Sequence, residues 1–349
     1  MNQSEGRLGD EDGGTPAGQR PGTGAAGPGG SSRQRVGGKG REGSGSPGAR
    51  EEASERQADL VPVPARNAGQ INQRSPLYHA QHANRYQRQQ LIREYEKAHN
   101  CRLIVMVDAI FSYSFQLFGE LLSDVSKNQS LHLLLWTPGG DGEVAVRLAR
   151  AAQAACREFT VIVPDIAKSA GTLLALGADQ ILMSSASDLG PVDPQFEMGD
   201  YDLISAKDII AAVDRALNDI AERPETYPLY SAMLSDVNAL RVERARSALA
   251  RTDDLLKEAL RSNPRRSTEN VEELAEGLQV PLISDPKDHA AILGAERAVE
   301  LGLPVTICDP ASVQWRQIWQ IWMYYYTLFP VQAYEGAVAS QVHRRQDAE

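Results

Sequence analysis

The feature that most constrains the fold is a series of short apolar runs that alternate with segments of helical periodicity. Four such runs, at residues 103–107, 131–136, 160–163 and 180–183, are rich in aliphatic side chains and lack polar alternation. Strands of this kind are buried on both faces, and strands that alternate with helices form a parallel sheet covered by helices. The sequence therefore predicts an α/β domain over residues 101–310.

The rest of the chain differs in composition. Residues 1–74 are rich in Gly, Ser, Arg and Glu, and up to Asp59 their large apolar side chains are Met1, Leu8 and Val36. This surface is too small to offset the entropy of ordering, so the arm is predicted to be disordered. An exposed polar helix is predicted over residues 75–100. The second half of the domain is predicted to be mainly helical, with long helical stretches at 228–260 and 290–301.

Charge and cysteine content exclude several classes of protein. A net charge of −10 on 349 residues argues against a general nucleic-acid-binding surface. The cysteines Cys101, Cys156 and Cys308 are odd in number and widely spaced, which predicts neither a disulfide framework nor metal ligands. Free thiols fit a reducing compartment, so we expect a cytoplasmic location. We expect no cofactor and no metal.

Residues 311–349 are predicted to form an aromatic helix and a tail. The aromatic segment at 315–329 is interrupted by polar residues and is shorter than the roughly 20 apolar residues of a membrane span. The N-terminal region also lacks the apolar core of a signal peptide. The helix therefore packs on the domain or on a partner subunit, or it lies peripherally at a membrane interface, where Trp and Tyr are favoured. It places Trp315, Trp319, Trp322 and Tyr326 on one side.

Two glycine-bearing turns follow consecutive predicted strands. The first is Thr137-Pro138-Gly139-Gly140, and the second is the segment KSAGT at residues 168–172. Because the carboxyl ends of neighbouring parallel strands meet at one edge of a sheet, we expect the two turns to face each other there. Glycines let backbone N–H groups approach a ligand closely. A Ser on a sharp strand-to-helix turn presents its hydroxyl, so the pair suggests a nucleophile beside an oxyanion hole.

Each turn also has a simpler interpretation. Ser169 could be the N-cap of a helix, a role that Ser fills well. The Pro-Gly-Gly sequence could be an ordinary surface turn. The occurrence of both turns on successive strands favours the functional interpretation.

Three ordered motifs resemble those of the serine dehydrogenase proteinase family. They are WTPGGDG at residues 136–142, VPDIAKSAGTLLALGADQILM at 163–183 and LGPVDPQ at 189–195. The likeness covers roughly residues 88–309 and includes ELGLPV at 300–305. This family belongs to the ClpP/crotonase superfamily and is similar to bacterial signal peptide peptidase A. The resemblance implies a ClpP/crotonase-like parallel sheet, a serine peptidase that acts on a peptide or protein, and assembly as a homo-oligomer.

The resemblance also implies the site residues. Ser169 is the expected nucleophile, and the amides of Gly140 and Ala170 are the expected oxyanion donors. Gly139, Lys168 and Asp193 are further candidates for supporting roles; Lys168 is placed there because adjacent residues on a turn usually point apart. The family name refers to serine dehydration, but no segment is typical of a pyridoxal phosphate site, so that activity is not expected.

The general base is harder to assign. ClpP-like members have a His after the Ser, but residues 189–194 contain none. Signal peptide peptidases use a Lys further along the chain, and Lys207 lies 38 residues after Ser169 (207 − 169) at the start of a predicted helix. A Lys that is desolvated by apolar neighbours loses its proton more readily and can act as a neutral base. Lys207 is the first candidate, although it could be a solvated surface residue; Lys168 and His289 are the others.

The sequence is also compatible with two other functions. A catalytically silent scaffold would keep the fold and bind a peptide or a partner protein. A crotonase-like enzyme acting on an acyl thioester would use the same pair of amides without needing the Ser. Fluorophosphonate labelling of Ser169 tests the peptidase, and an unchanged phenotype after loss of Ser169 would support the scaffold. Binding of coenzyme A would identify the crotonase-like enzyme.

Overall fold

The computed structural model describes residues 75–198, 202–284 and 292–344. The chain divides into Met1–Asn72 and Gln73–Glu349, and every described residue belongs to the second unit. The predicted disordered arm at residues 1–74 lies outside the described residues.

The strands follow the predicted order and continue beyond it. They are β1 (Cys101–Val107), β2 (Ser130–Trp136), β3 (Glu158–Val163), β4 (Ile166–Ala167), β5 (Gln180–Met183), β6 (Asp188–Leu189), β7 (Gln195–Met198), β8 (Asp202–Ser205), β9 (Leu293–Gly294), β10 (Val305–Ile307), β11 (Val331–Glu335) and β12 (Ser340–Arg344). The main sheet has the order β10-β5-β3-β2-β1-β11-β12. Its first five strands are parallel, whereas β11 and β12 are antiparallel to their neighbours. The remaining strands form two small separate sheets, with the orders β4-β6-β9 and β7-β8.

The helices cover both faces of this sheet. They are α1 (Pro76–Gln81), α2 (Ala83–His99), α3 (Ser112–Leu122), α4 (Gly142–Ala155), α5 (Ala170–Leu176), α6 (Ala206–Glu222), α7 (Tyr227–Met233), α8 (Ala239–Arg261), α9 (Thr268–Gln279), α10 (Ala295–Glu300) and α11 (Val313–Tyr326). The predicted helix at 228–260 is interrupted between α7 and α8, and the one at 290–301 is confined to α10 within the described residues. The α/β class with a mostly parallel sheet is confirmed.

Alternating side chains of the central strands build two separate cores. Leu133 and Val161 face one side, where helices α4, α5, α8 and α9 complete a large apolar cluster. Leu134 and Ile162 face the other side, which is covered by α2 and α11. Since successive strand residues point to opposite faces, a strand with apolar residues at every position is buried on both sides. This burial explains why these runs lack polar alternation.

The helix before β1 is more than the exposed lead-in that its polar sequence predicts. Ile92 and Tyr95 of α2 are buried in the second core. Arg88, also buried, donates from Nε to Oε2 of Glu335 on β11 over 2.6 Å. The paired charges allow a polar helix face to be covered, because each satisfies the other away from water.

The aromatic helix α11 packs on the domain, as the first of the two interpretations predicts. Trp315, Trp322 and Tyr325 are buried in the second core, whereas Trp319 is 45% exposed and Tyr326 is 58% exposed. Of the four aromatic residues predicted to lie on one side of the helix, two are therefore buried and two are exposed. Within the described residues, no helix is long and apolar enough to cross a membrane.

Candidate active site

The two glycine-bearing turns are joined by main-chain hydrogen bonds at the carboxyl ends of β2 and β3. The Thr137 N–H donates to the Ile166 carbonyl over 3.2 Å, and the Lys168 N–H donates to the Thr137 carbonyl over 3.1 Å. These bonds form a short parallel bridge between Thr137 and Ala167. The bridge fixes the segment that carries Ser169 against the Pro-Gly-Gly turn.

Ser169 has a backbone conformation that L-residues rarely adopt. Its φ is 49° and its ψ is −112°, a combination that costs roughly 1–3 kcal/mol in a non-glycine residue. Ser169 precedes α5, but its side chain makes no capping hydrogen bond. The simple N-cap interpretation therefore does not describe this residue. Strain of this kind persists where the surrounding structure enforces it, and it concentrates at functional sites.

Gly139 provides the space that Ser169 occupies. A Cβ atom added at Gly139 would lie 2.9 Å from the Ser169 Cβ and 3.6 Å from its Oγ. The φ of Gly139 is 119°, which also disfavours any side chain there. The structure thus brings Gly139 and the Ser169 hydroxyl into direct proximity, with Ser169 half-buried.

Gly140 is held by the backbone of Ile110, in the loop that follows β1. The Ile110 N–H donates to the Gly139 carbonyl over 2.8 Å, and the Asp141 N–H donates to the Ile110 carbonyl over 2.8 Å. A Cβ atom on Gly140 would lie 2.1 Å from that carbonyl oxygen. Asp141 then accepts from the Glu143 and Val144 amides and starts α4. The loop is therefore fixed on both sides of Gly140.

The amides of Gly140 and Ala170 remain available. In the described part of the chain, neither N–H donates to a backbone or side-chain acceptor. The Ala170 amide is the first of α5, where the helix leaves its N–H groups without internal partners. Helix N-termini also favour negative charge. Two unbonded amides near a hydroxyl are the donor set that an oxyanion requires.

The third motif is attached to the same turn by Thr172. Its hydroxyl lies 2.9 Å from the Ala167 carbonyl oxygen and 2.8 Å from the Gly190 carbonyl oxygen. The Gly190 N–H donates back to the Thr172 hydroxyl over 3.1 Å. The LGPVDP segment is thereby fixed beside the Ser169 turn.

Lys168 extends over this third motif. A Cβ atom on Gly190 would lie 2.3 Å from the Lys168 Cδ, so the lysine stem covers the glycine. Burial raises the pKa of Asp188, and the nearby Lys168 charge opposes that rise. The Lys168 side chain therefore lies along the β6 side of the turn.

Asp193 and Lys207 are connected through the chain between them. Asp193 is buried, and the Ala206 N–H donates to the carbonyl of the next residue, Pro194, over 2.8 Å. Lys207, the second residue of α6, is half-buried. Among the described residues, no hydrogen bond joins Ser169 Oγ to Lys207 Nζ. His289 lies outside the described residues.

Several residues that hold these turns were not singled out from the sequence. Ile110 acts through its backbone, which leaves no sequence signal. Thr172 lies in the second motif, at residues 163–183, and a Thr next to Gly171 in an otherwise apolar helix was a possible signal. Asp108, at the end of the first apolar run, is fully buried. An Asp directly after an apolar strand, next to the strands that carry both turns, was an available signal.

The described residues include no cluster of side chains that could bind a metal ion. Among the residues that the structure describes, no three His, Cys, Asp or Glu side chains are grouped so that they could hold a metal ion. The three free cysteines are all buried.

Comparison with known families identifies the class. Residues 121–315 match the model of the ClpP-like SDH-type serine proteinases. This match spans more than half of the chain, and the chain belongs to that family. It is therefore a serine-type peptidase by family, and the resemblance noted in its motifs is confirmed.

Two uncharacterized proteins of Methanocaldococcus jannaschii are similar to the chain. One is 30% identical over 242 residues, which cover 65% of this chain and 76% of that protein. The other is 25% identical over 236 residues, which cover 64% of this chain and 72% of that protein. The similarity extends over most of both relatives.

Among solved structures, the membrane-bound stomatin-specific protease 1510-N is similar to this chain in two variants. A serine-to-alanine variant has a TM-score of 0.36 and 17% identity, and the match covers 59% of this chain and 78% of that one. A lysine-to-alanine variant in complex with a substrate peptide has a TM-score of 0.35 and 18% identity, with 60% and 77% covered.

Proposed function

We propose that this peptidase cleaves peptide bonds through an acyl-enzyme on Ser169, with Lys207 as general base and the Gly140 and Ala170 amides as the oxyanion hole. The observation that carries the proposal is the strained left-handed backbone of Ser169 directly beside Gly139. The two unbonded amides next to it add the donors that the chemistry needs. Neither feature is required by the packing of an ordinary turn.

The proposed reaction has two steps. Ser169 Oγ attacks the carbonyl carbon of the peptide while Lys207 Nζ accepts the hydroxyl proton. The carbonyl oxygen becomes an oxyanion that accepts hydrogen bonds from the Gly140 and Ala170 amides. When the C–N bond breaks, the lysine returns the proton to the leaving amine and an ester on Ser169 remains. Water, deprotonated by the same lysine, then hydrolyses this ester and restores the Ser169 hydroxyl.

Lys207 is preferred as the base because of its position in the chain and its partial burial. It is adjacent to Ala206, which bonds to the segment that Thr172 attaches to the Ser169 turn. Lys168 is next to Ser169, but its stem lies over Gly190 on the β6 side. Adjacent residues on a turn commonly point in different directions, so Lys168 is assigned a supporting role with Asp193.

Covalent labelling tests the nucleophile. A fluorophosphonate probe is expected to modify the full-length wild type on Ser169, as located by peptide mass spectrometry, and to leave Ser169→Ala unmodified. Ser169→Gly should also be unmodified, yet about 1 kcal/mol more stable than Ser169→Ala, because glycine adopts a positive φ without strain. This second variant shows that lost labelling is not lost folding. Equal labelling of wild type and Ser169→Ala would refute the assignment, and an unreactive wild type would favour the silent scaffold.

The expected assembly and location also remain proposals. We propose a homo-oligomer in the cytoplasm, with a peripheral membrane contact through α11 as the alternative. Exposed apolar side chains support a further contact surface, and they include Tyr227, Leu229 and Met233 on α7. Sedimentation velocity of the full chain should give a species larger than the 38.0 kDa monomer. A monomer at micromolar concentration would contradict the homo-oligomer.

A further inference from the structure

Asp108 is a fully buried carboxylate at the end of β1. Its Oδ2 accepts hydrogen bonds from the Tyr113 hydroxyl over 2.9 Å and from Gln332 Nε2 over 2.8 Å. The Tyr334 hydroxyl lies 3.1 Å from the same oxygen, and the Ala109 N–H donates to Oδ1 over 2.9 Å. The carboxylate thus connects the end of β1 with α3 and β11.

These donors come from elements that are distant in sequence. Tyr113 lies in the first turn of α3, whereas Gln332 and Tyr334 lie on β11, more than 200 residues later. Burial raises the pKa of the Tyr334 hydroxyl well above its usual value, so this group keeps its proton. The same hydroxyl lies 2.8 Å from Ser114 Oγ, which ties α3 to β11 a second time. Hydrogen bonds to a carboxylate are stronger than those between neutral groups. Losing the carboxylate would leave the buried Ala109 N–H and the part-buried donors of Tyr113 and Gln332 without this acceptor.

The anchored segment is the one that holds Gly140. Two residues after Asp108, the backbone of Ile110 donates to the Gly139 carbonyl and accepts from the Asp141 N–H. Gly140 lies between these two bonds, and its Cα faces the Ile110 carbonyl with no room for a side chain. A shift of Ile110 would therefore displace the Gly140 peptide, including its unbonded N–H group.

We propose that Asp108 is a positioning residue that sets the direction of the Gly140 amide, and thereby the strength of the oxyanion hole. This inference rests on the proposed function of that amide. Asp108 makes no contact with substrate in this proposal and acts through the Ile110 backbone. An oxyanion donor must be fixed before the reaction, because one that reorients during the reaction stabilises the transition state less.

Glu335 provides a matched comparison. It is also a fully buried carboxylate, and it lies on the same β11 strand next to Tyr334. Its partners are Arg88 of α2 and the Tyr325 hydroxyl of α11, which donates over 2.7 Å. Among the described residues, no hydrogen bond joins either partner to Ile110. A loss of buried hydrogen bonds alone would affect the two carboxylates alike, whereas positioning of Gly140 would affect only Asp108.

The test compares Asp108→Asn with Glu335→Gln in the full-length protein. Both substitutions keep the side-chain size and remove the charge, and both should lower the midpoint of urea unfolding. Fluorophosphonate labelling of Asp108→Asn is expected to be about 10- to 100-fold slower than wild type, since removing one oxyanion donor outright costs about 100- to 1000-fold. Glu335→Gln should stay within about threefold, as for a substitution that leaves the oxyanion donors in place. Amide hydrogen exchange at Asp141, whose N–H bonds to Ile110, should increase in Asp108→Asn alone.

Labelling of Asp108→Asn within threefold of wild type would overturn the inference, as would equal slowing of both variants. If Asp108→Asn does not fold, Tyr334→Phe removes one donor to the carboxylate and should slow labelling by a smaller factor; an unchanged rate would count against the inference. An unreactive wild type would refute the peptidase proposal instead. Exchange at Asp141 would then decide the role of Asp108: unchanged exchange overturns it, and faster exchange supports it.

Discussion

Replacing Gly140 by alanine is expected to slow fluorophosphonate labelling of Ser169 by at least about 100-fold, the cost of losing one oxyanion donor. The added Cβ would lie 2.1 Å from the Ile110 carbonyl oxygen, and Gly140 has a φ of 136°. Backbone must move to relieve this contact, because no flexible side chain is involved. The movement rotates the peptide that carries the amide. Strain of this size should also lower the free energy of unfolding by roughly 1–3 kcal/mol.

Two other glycines separate these effects. A Cβ on Gly277, within α9, meets no atom within 4 Å, so Gly277→Ala should leave labelling unchanged and raise stability by about 0.5–1 kcal/mol. A Cβ on Gly177 would lie 2.5 Å from the Ala149 Cβ, at the far end of α5 from Ser169. Gly177→Ala should therefore lose stability while labelling stays within about tenfold of wild type, because both oxyanion amides remain in place. The role of the Gly140 amide would be contradicted if Gly140→Ala were labelled at the wild-type rate. It would also be contradicted if Gly177→Ala were slowed as much as Gly140→Ala.

The parallel part of the sheet could be predicted because its information is local. Each of β1, β2, β3 and β5 is an apolar run, and a helical segment lies between each run and the next. Burial on both faces forces such strands to be apolar at every position. The order of elements along the chain then favours a parallel sheet, and the meeting of the two turns at its edge follows from that topology.

The antiparallel edge of the sheet could not be predicted in the same way. Strand β11 is short, follows a long aromatic helix and carries a buried charge at Glu335. Arg88, the partner of Glu335, precedes Glu335 by 247 residues in the sequence. A buried ion pair of this kind appears in the sequence as two unrelated polar residues. For the same reason, the polar helix α2 was predicted to be exposed although Arg88 and Gln89 are covered.

Some residues of the candidate site can also be located from local sequence patterns, and others cannot. Ser169, Gly139 and Gly140 lie in turns that directly follow predicted strands, so local patterns locate them. The position of Lys207 relative to Ser169 depends on the β7-β8 hairpin and on the bond between Ala206 and Pro194. Neither is visible in a periodic pattern. No local pattern therefore locates Lys207 relative to Ser169, whereas the two turns are located by the strands before them.

Replacing Lys207 by methionine is expected to reduce the rate of fluorophosphonate labelling about 1000-fold, within the range that general-base catalysis contributes. Methionine keeps most of the side-chain volume but cannot accept the Ser169 proton as Oγ attacks. The oxyanion donors remain in place, so the non-covalent affinity for the probe should change little. A saturation experiment should therefore show a lower maximal rate at an unchanged half-saturating concentration. Small primary amines added to Lys207→Ala should restore part of the rate, because they can take the place of the missing base.

The other candidate bases provide the controls. Lys168→Met removes an amine next to Ser169 and should slow labelling less than about tenfold, because its stem lies over Gly190 and general-base loss costs more than this. His289→Gln should have no effect. If Lys168→Met or His289→Gln abolishes labelling while Lys207→Met reacts like wild type, the base has been assigned to the wrong residue. Only loss confined to Lys207, together with amine rescue, supports a Ser169–Lys207 pair.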